Sequence, residues 1–269
     1  MRTNKFIIAV PARLESSRLP NKVLADIGGK SMINRTLEAC KNSKLVSKTV
    51  LCTDSRILFG KANSWGFDVL MTSKNCQSGT ERIASVFDDL LNIAWGELDS
   101  KSNIDNLIKN TFVINVQGDQ PFIDPKVIDK VVEAFSKKPN QEVITPIYKL
   151  KPENIHNPNV VKTLINNYKE AIYFSRSPLP HVRDVQTEYW YKYATFWGHV
   201  GIYGYRGDIL NNWNNLSISQ LEKAEKLEQL RILDGGYKIS TIEVEGDFLS
   251  VDTLDQLEEA RKILSLEQE

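Results

Sequence analysis

The sequence predicts an α/β fold, a sheet with helices on its faces, and three observations predict it. Short apolar runs alternate with amphipathic stretches up to about residue 140, the signature of strand–helix alternation. None of these runs approaches the roughly 20 residues of a membrane span. Beyond about residue 140 the rhythm changes to successive strand-like runs. The whole chain, 1–269, reads as one domain, with a β-rich excursion at about 148–198 that looks unable to stand alone.

Residues 6–10 (FIIAV) read as a buried first strand, ended by Pro11. Ser31 can cap a helix in which Met32, Ile33, Leu37 and Cys40 share a face. A second strand at 49–53 leads into a crossover helix at 55–64, and a third strand follows at 68–71. Thr80 can cap a helix with Ile83, Val86, Phe87, Leu90 and Leu91 inward. Residues 94–110 are polar and carry no clear pattern. Residues 112–116 (FVINV) form the clearest strand, and Pro125 suits the first turn of the helix after it. Strands at 143–148, 160–165 and 171–174 come next, the last two joined as a hairpin through 166–169. Residues 178–193 read as an aromatic, charged loop. A strand at 200–205, a helix at 219–233 stopped by Gly235-Gly236, and strands at 239–244 and 249–251 precede a last helix capped by Thr253.

Lys and Arg total 34, and Asp and Glu total 34, so the net charge is zero. That disfavours a general nucleic-acid binder, which shows a basic excess, but leaves room for a small anionic substrate. Cys40, Cys52 and Cys76 form no CxxC pair, which argues against a disulfide framework or structural zinc and fits a reducing cytoplasm. The amino terminus runs straight into a strand, without the pattern of a signal peptide.

Four groups of residues carry candidate chemistry. Arg13, Arg18 and Lys22 place three cations in ten residues just past the first strand, at the end of a sheet where α/β folds bind ligands. Ala12 opens the same loop. Arg forks onto phosphate oxygens and Lys acts as a point charge; the alternative is a solvated basic loop. Asp119, in the run VQGDQP beside Gly118, follows an apolar strand and is placed for Mg2+, or else it closes a tight turn. Asp252 follows the run at 249–251 and precedes a helix, where Asp is common for structural reasons alone. Two such strand-end carboxylates can converge on one cation. Arg176, His199, Tyr203, Glu228 and Gln229 are polar residues within apolar runs, and together they could line a pocket for a polyhydroxylated acid.

The chain resembles the 3-deoxy-manno-octulosonate cytidylyltransferases nearly end to end. The resemblance is carried by PARLESSRLPNK at 11–22, GGKSMI at 28–33, MTSKNCQSGTERI at 71–83, NVQGDQPFI at 115–123, NPNVVK at 157–162, YFSRSPLP at 173–180, HVGIYGYR at 199–206, EKLEQLRIL at 225–233 and SVDTLDQLE at 250–258. It implies a Rossmann-like nucleotidyltransferase fold, a glycosyltransferase-A-like mixed sheet, with a β-rich arm that helps form a homodimer. It implies transfer of CMP from CTP to the sugar acid Kdo, with Mg2+. By that resemblance Arg13, Arg18 and Lys22 hold the phosphates, and Gln77, Ser78 and Arg82 lie near the nucleoside. Asp119 and Asp252 bind metal, and Gln117, Arg176, His199, Tyr203, Glu228 and Gln229 hold the sugar acid. The sequence departs from the family at Gln120, where QGDEP is usual, in the shorter block CTDSRI, and in the aromatic segment 181–198. The QGDQP form also resembles relatives that activate the 8-amino analogue of Kdo. The rival readings are a cytidylyltransferase for another 2-keto sugar acid, a nucleotide-sugar-dependent glycosyltransferase, and a nucleotide sensor without turnover.

Overall fold

The computed structural model describes residues 4–16, 19–96, 98, 103–246, 248 and 250–266. The first half lays down parallel strands. β1 (Lys5–Ala12) is followed by a small hairpin of β2 (Asp26–Ile27) and β3 (Lys30–Ser31), then α1 (Met32–Lys41), β4 (Thr49–Thr53), α2 (Arg56–Ser64) and β5 (Asp68–Met71). Next come α3 (Gly79–Ala84), α4 (Phe87–Trp95), α5 (Ile104–Lys109), β6 (Thr111–Asn115) and α6 (Pro125–Lys137). The second half holds β7 (Val143–Lys149), β8 (Lys162–Ile165), β9 (Ala171–Ser175), β10 (Trp197–His199) and β11 (Tyr203–Arg206). It ends with α7 (Gly207–Asn211), α8 (Gln220–Glu225), α9 (Gln229–Asp234), β12 (Ile239–Glu243) and α10 (Leu254–Leu266).

One ten-stranded sheet runs in the order β5-β4-β1-β6-β11-β7-β10-β8-β9, with β12 paired to β7. β5, β4, β1 and β6 run parallel to one another, and β11 is antiparallel to both β6 and β7. The sheet is therefore mixed. Successive residues of β1 serve opposite faces, as a strand's two-residue period requires. Ile8 and Val10 pack with Leu37, Leu58 and Val131 of α1, α2 and α6. Ile7 and Ala9 pack with Ile83, Leu90, Ile209 and Trp213 on the other side. Covering both faces explains why β1 and β6 read as near-continuous apolar runs.

Several boundaries differ from the sequence expectation, each for a local reason. β1 continues through Pro11 to Ala12. Pro11 shares the side of Ala9, whose carbonyl accepts from Val116 in the last bond toward β6, so its missing N–H interrupts no ladder. α3 is capped by Ser78, whose side chain accepts from the Glu81 amide, and not by Thr80. The expected helix at 80–91 is two helices, because Ser85 turns its hydroxyl back on the Arg82 carbonyl at 2.8 Å. The strand expected at 200–205 is interrupted between β10 and β11. Gly201 lies there at φ +83°, and the Val200 carbonyl accepts from the Gln120 side chain at 2.6 Å. The helix expected at 219–233 is broken by Lys226 in the left-handed region, φ +54°. Arg231 folds back across that break onto Glu222 at 2.6 and 2.8 Å. Ser250 and Val251 are not in a strand; Val251 instead makes one backbone bond to the Asp119 carbonyl at 3.0 Å.

Within 148–198, β8 and β9 form the expected hairpin and extend the main sheet through β10. Part of the aromatic segment is internal: Trp190 and Phe196 bury themselves with Leu150 and Ile155 in a small core of their own. Tyr189, Tyr191 and Tyr193 remain exposed.

Candidate active site

At the carboxyl ends of β1 and β6 lies a cavity of about 310 Å³. It is lined by Ala12, Arg13, Lys22, Gln77, Ser78, Arg82, Gln117, Asp119 and Asp252, nine of the residues singled out in the sequence. Arg18 lies outside the described residues. A wider surface cleft of about 540 Å³, around Lys137, Lys138 and Lys238, contains none of them.

Local structure accounts for the convergence. After β1 the chain makes a short 3₁₀ turn at Lys22–Leu24, which buries Val23 in the core and turns Lys22 toward the cavity. After β6 the turn through Gly118 presses against β1. A Cβ at Gly118 would sit 3.2 Å from the Pro11 carbonyl oxygen and 3.1 Å from Ile33. The glycine thus serves close approach of the two strand ends, and it also lines the cavity. Asp119 follows at once, and its carbonyl holds the Val251 amide, which delivers Asp252. The Asp252 amide is capped by the Gln256 side chain at 2.8 Å.

The two carboxylates meet on one amine. Lys22 Nζ donates to Asp119 Oδ2 at 2.7 Å and to Asp252 Oδ1 at 2.8 Å. Burial opposes the charge on Lys22, but the two carboxylates outweigh it and hold the amine above its ordinary value of 10.5. A cation stabilised in the fold keeps its contribution at all pH below its unfolded value and loses it only as pH rises through the folded one. The bridge is therefore intact across the neutral range. Among the described residues no third acidic, His or Cys side chain joins the pair.

One wall of the cavity comes from the start of α3. Arg82 is buried there and paired with Asp54 at 2.9 Å, and it also donates to the Thr72 hydroxyl. Neither partner was singled out in the sequence, although Asp54 sits in the shortened block CTDSRI.

The remaining predicted residues do not line the cavity, and Arg176 makes its bonds apart from the others. Tyr203 faces Asn115 across β11 and β6, and its ring lies between those of His199 and Tyr205 at 5.0 and 5.7 Å. His199 Nε2 is 2.9 Å from the Thr145 hydroxyl, and burial lowers the imidazole to about 3. Burial raises the Tyr203 phenol well above its ordinary range. Glu228 accepts from Thr80 at 2.5 Å, and burial also raises its carboxyl above the ordinary range. Glu228 Oε2 and Gln229 Nε2 are buried with no hydrogen-bond partner among the described residues. Arg176 is turned to the backbone, donating to the carbonyls of Glu225 at 3.0 Å and Pro158 at 3.2 Å. Gln120 points at the β10–β11 break and not at the cavity; an ionised Glu there could not donate to Val200.

Sequence reasoning missed Asn115, Thr80 and Tyr205. Asn115 is the polar residue inside FVINV, and Tyr205 repeats the alternation of Tyr203. Those interruptions of apolar runs were the available signal.

A mixed sheet with cationic loop residues and two paired carboxylates around one cavity is the type of site found in nucleotidyltransferases. A cytidylyltransferase family profile matches residues 7–239. The chain is 38% identical to a 3-deoxy-manno-octulosonate cytidylyltransferase of Chloroherpeton thalassium, over 97% of this chain and 98% of that one. It is 39% identical to the protein of the same name from Polynucleobacter asymbioticus, over 96% and 95%. A solved structure of CMP:2-keto-3-deoxy-manno-octonic acid synthetase complexed with CTP matches with a TM-score of 0.84 at 33% identity, covering 98% of this chain and 99% of that one. The chain belongs to the cytidylyltransferase family, among the 3-deoxy-manno-octulosonate cytidylyltransferases. It is an enzyme, a nucleotidyltransferase with the Rossmann-like fold of that family.

Proposed function

We propose that the chain transfers CMP from CTP to the anomeric hydroxyl of 3-deoxy-D-manno-octulosonate (Kdo), releasing pyrophosphate, in the cytoplasm and for lipopolysaccharide or capsule synthesis. The observation that carries this reading is the meeting of Asp119 and Asp252 on Lys22 in a cavity also lined by Arg13, Ser78 and Gln117. Three buried free thiols support the reducing compartment. Among the described residues no helix is long and apolar enough to cross a membrane.

Two adjacent carboxylates opening on the cavity are an all-oxygen donor pair, which fits Mg2+ with water and phosphate oxygens completing its octahedron. Asp119 and Asp252 would hold it. When bound, the ion supplies positive charge that offsets the repulsion between the triphosphate and the sugar carboxylate. The chain's own residues do the rest. Lys22 has three N–H groups, two engaged by carboxylates, and the third is available to a phosphate oxygen. Arg13, with Arg18 from the same loop, grips the phosphates and steadies the charge that develops on pyrophosphate. Gln77, Ser78 and Arg82 seat the nucleoside. Gln117, Arg176, His199, Tyr203, Glu228 and Gln229 take the sugar acid, with the unpartnered atoms of Glu228 and Gln229 turned to its hydroxyls. The sugar oxygen bonds to the α-phosphorus as the bond to pyrophosphate breaks, so orientation of the two substrates governs the rate.

The test is pyrophosphate release with CTP, Mg2+ and a panel of sugar acids. Turnover of Kdo supports the reading. Turnover of the 8-amino analogue alone moves the substrate, and no turnover with any 3-deoxy-octulosonate defeats it. We also read residues 148–198 as an arm within a single domain. Its exposed Tyr189, Tyr191 and Tyr193 would face the same surface of a second chain in a two-fold dimer. A monomer in sedimentation at micromolar concentration would contradict that.

A further inference from the structure

Thr80 is fully buried in the first turn of α3. Ser78 already caps that helix, so the Thr80 hydroxyl is not needed there. Its bonds go to side chains from β6, β11 and the start of α9. Oγ1 donates to Glu228 Oε1 at 2.5 Å, accepts from Asn115 Nδ2 at 3.3 Å and lies 3.1 Å from the Tyr205 hydroxyl. A hydroxyl has one proton and two lone pairs. With the proton on Glu228, the lone pairs face Asn115 and Tyr205, and Tyr205 donates. Asn115 is oriented in turn, because its Oδ1 accepts from Gln117 Nε2 at 3.2 Å. A directional chain thus runs from Gln117 through Asn115 and Thr80 to Glu228, and such chains strengthen one another in a dry interior.

Both ends of the chain face outward from it. Gln117 lines the cavity. A Cβ at Gly79 would lie 3.1 Å from Gln117 Oε1, so the glycine leaves room for that end. At the other end Glu228 Oε2 is buried without a protein partner among the described residues. The same short helix presents Ser78, Gly79 and Arg82 to the cavity. One element therefore touches the nucleotide wall and fixes the acid beside it.

We propose that Thr80 is a positioning residue for the transfer, holding Glu228 and Gln117 in one register so that the sugar acid is seated against the nucleotide bound along α3. The proposal rests on the assignment of Glu228 to the sugar side. Burial raises the Glu228 carboxyl, and the hydroxyls of Ser78 and Thr80, the Thr80 backbone and the Arg231 charge oppose that rise, so losing the Thr80 hydroxyl moves the carboxyl further upward.

The experiment is steady-state kinetics of the whole chain with CTP, Mg2+ and Kdo, comparing wild type, Thr80→Val and Thr80→Ser. Thr80→Val is expected to raise KM for the sugar acid roughly ten-fold or more, the loss of a hydrogen bond to a carboxyl, with KM for CTP unchanged. Its kcat/KM profile for the sugar acid should shift to higher pH. Thr80→Ser keeps the hydroxyl and is expected to restore both. An unmoved KM and profile in Thr80→Val would overturn the proposal, as would equal rises in both KM values. If Thr80→Val does not fold, Tyr205→Phe decides. It removes one orienting donor and is expected to move KM for the sugar acid in the same direction by less, and no movement overturns the proposal. A wild type without turnover defeats the assigned function itself. An active wild type with an unaffected Thr80→Val defeats only the role of Thr80.

Discussion

Arg13, Lys22, Asp119 and Asp252 stand outside the strands around the cavity, whereas Asn115, Thr80, Tyr203, Tyr205 and Glu228 lie in or against the sheet itself. The side chains of Lys22, Asp119 and Asp252 are 12%, 22% and 31% exposed; Thr80, Asn115 and Tyr205 are at 0%. The loop side works through formal charge near water, and the sheet side through oriented neutral hydrogen bonds in a dry interior. Charge on a loop survives small displacements, because Coulomb attraction falls slowly with distance. A hydrogen-bond chain does not, because each bond depends on angle as well as distance. In the proposed assignment a triphosphate grip tolerates small displacements, whereas placing one sugar hydroxyl for attack requires fixed groups.

Among substitutions that leave both carboxylates in place, replacing Lys22 by Met has the largest expected effect on the loop side. It leaves Asp119 and Asp252 as like charges with no amine between them, and it removes a donor from the phosphates. Turnover is expected to fall about 100- to 1,000-fold, the cost of losing one preorganised charge-stabilising donor. Thermal shift is expected to show stronger stabilisation by Mg2+ than in wild type. A variant with near wild-type kcat/KM for CTP would remove Lys22 from the site.

Gly118→Ala probes the junction of the two regions. The added methyl meets the Pro11 carbonyl oxygen and Ile33 at 3.2 and 3.1 Å, and a backbone oxygen in β1 cannot move aside cheaply. The loss in stability is expected to be about 1–3 kcal/mol, with a lower kcat because Asp119 is displaced. Denaturant unfolding with unchanged stability would mean that the two strand ends separate freely.

The effect confined to acid pH, absent near neutrality, lies on the sheet side. Burial lowers His199 to about 3 from an ordinary 6.5, so the unfolded chain binds a proton that the fold refuses. That contribution to stability is complete above 6.5 and is lost as pH falls from there toward 3. The melting temperature is expected to drop in that window and to drop less in His199→Gln. Equal acid sensitivity in the two proteins would contradict a neutral, enclosed imidazole.

What could be read in the sequence divides along the same line. Most strands were legible, because a strand covered on both faces is a short apolar run, as at 49–53 and 112–116. The loop charges were legible because Arg13, Lys22, Asp119 and Asp252 follow such runs or precede a helix. That the two carboxylates would share Lys22 was not legible. It depends on Gly118 pressing against β1 and on a single backbone bond from Val251 to Asp119. The sheet network was least legible: Asn115, Thr80 and Tyr205 are uncharged, and their roles follow from cross-strand register and helix placement. Thr80 reads as a cap, since Ser78 two residues earlier is an equally good one. The break at Gly201 depends on Gln120, distant in sequence, and the break at Lys226 on how the Arg231–Glu222 pair folds across it.

The central claim is that Asp119 and Asp252 act as one unit, and a double-mutant cycle on turnover tests it most directly. Asp119→Asn and Asp252→Asn each keep the side-chain shape and lose only the charge. Each is expected nearly to abolish pyrophosphate release while leaving the melting curve cooperative, and the double variant is expected to be little worse than either single one. Losses that multiply in the double variant, or an Asp252→Asn protein close to wild type across a Mg2+ titration, would contradict it.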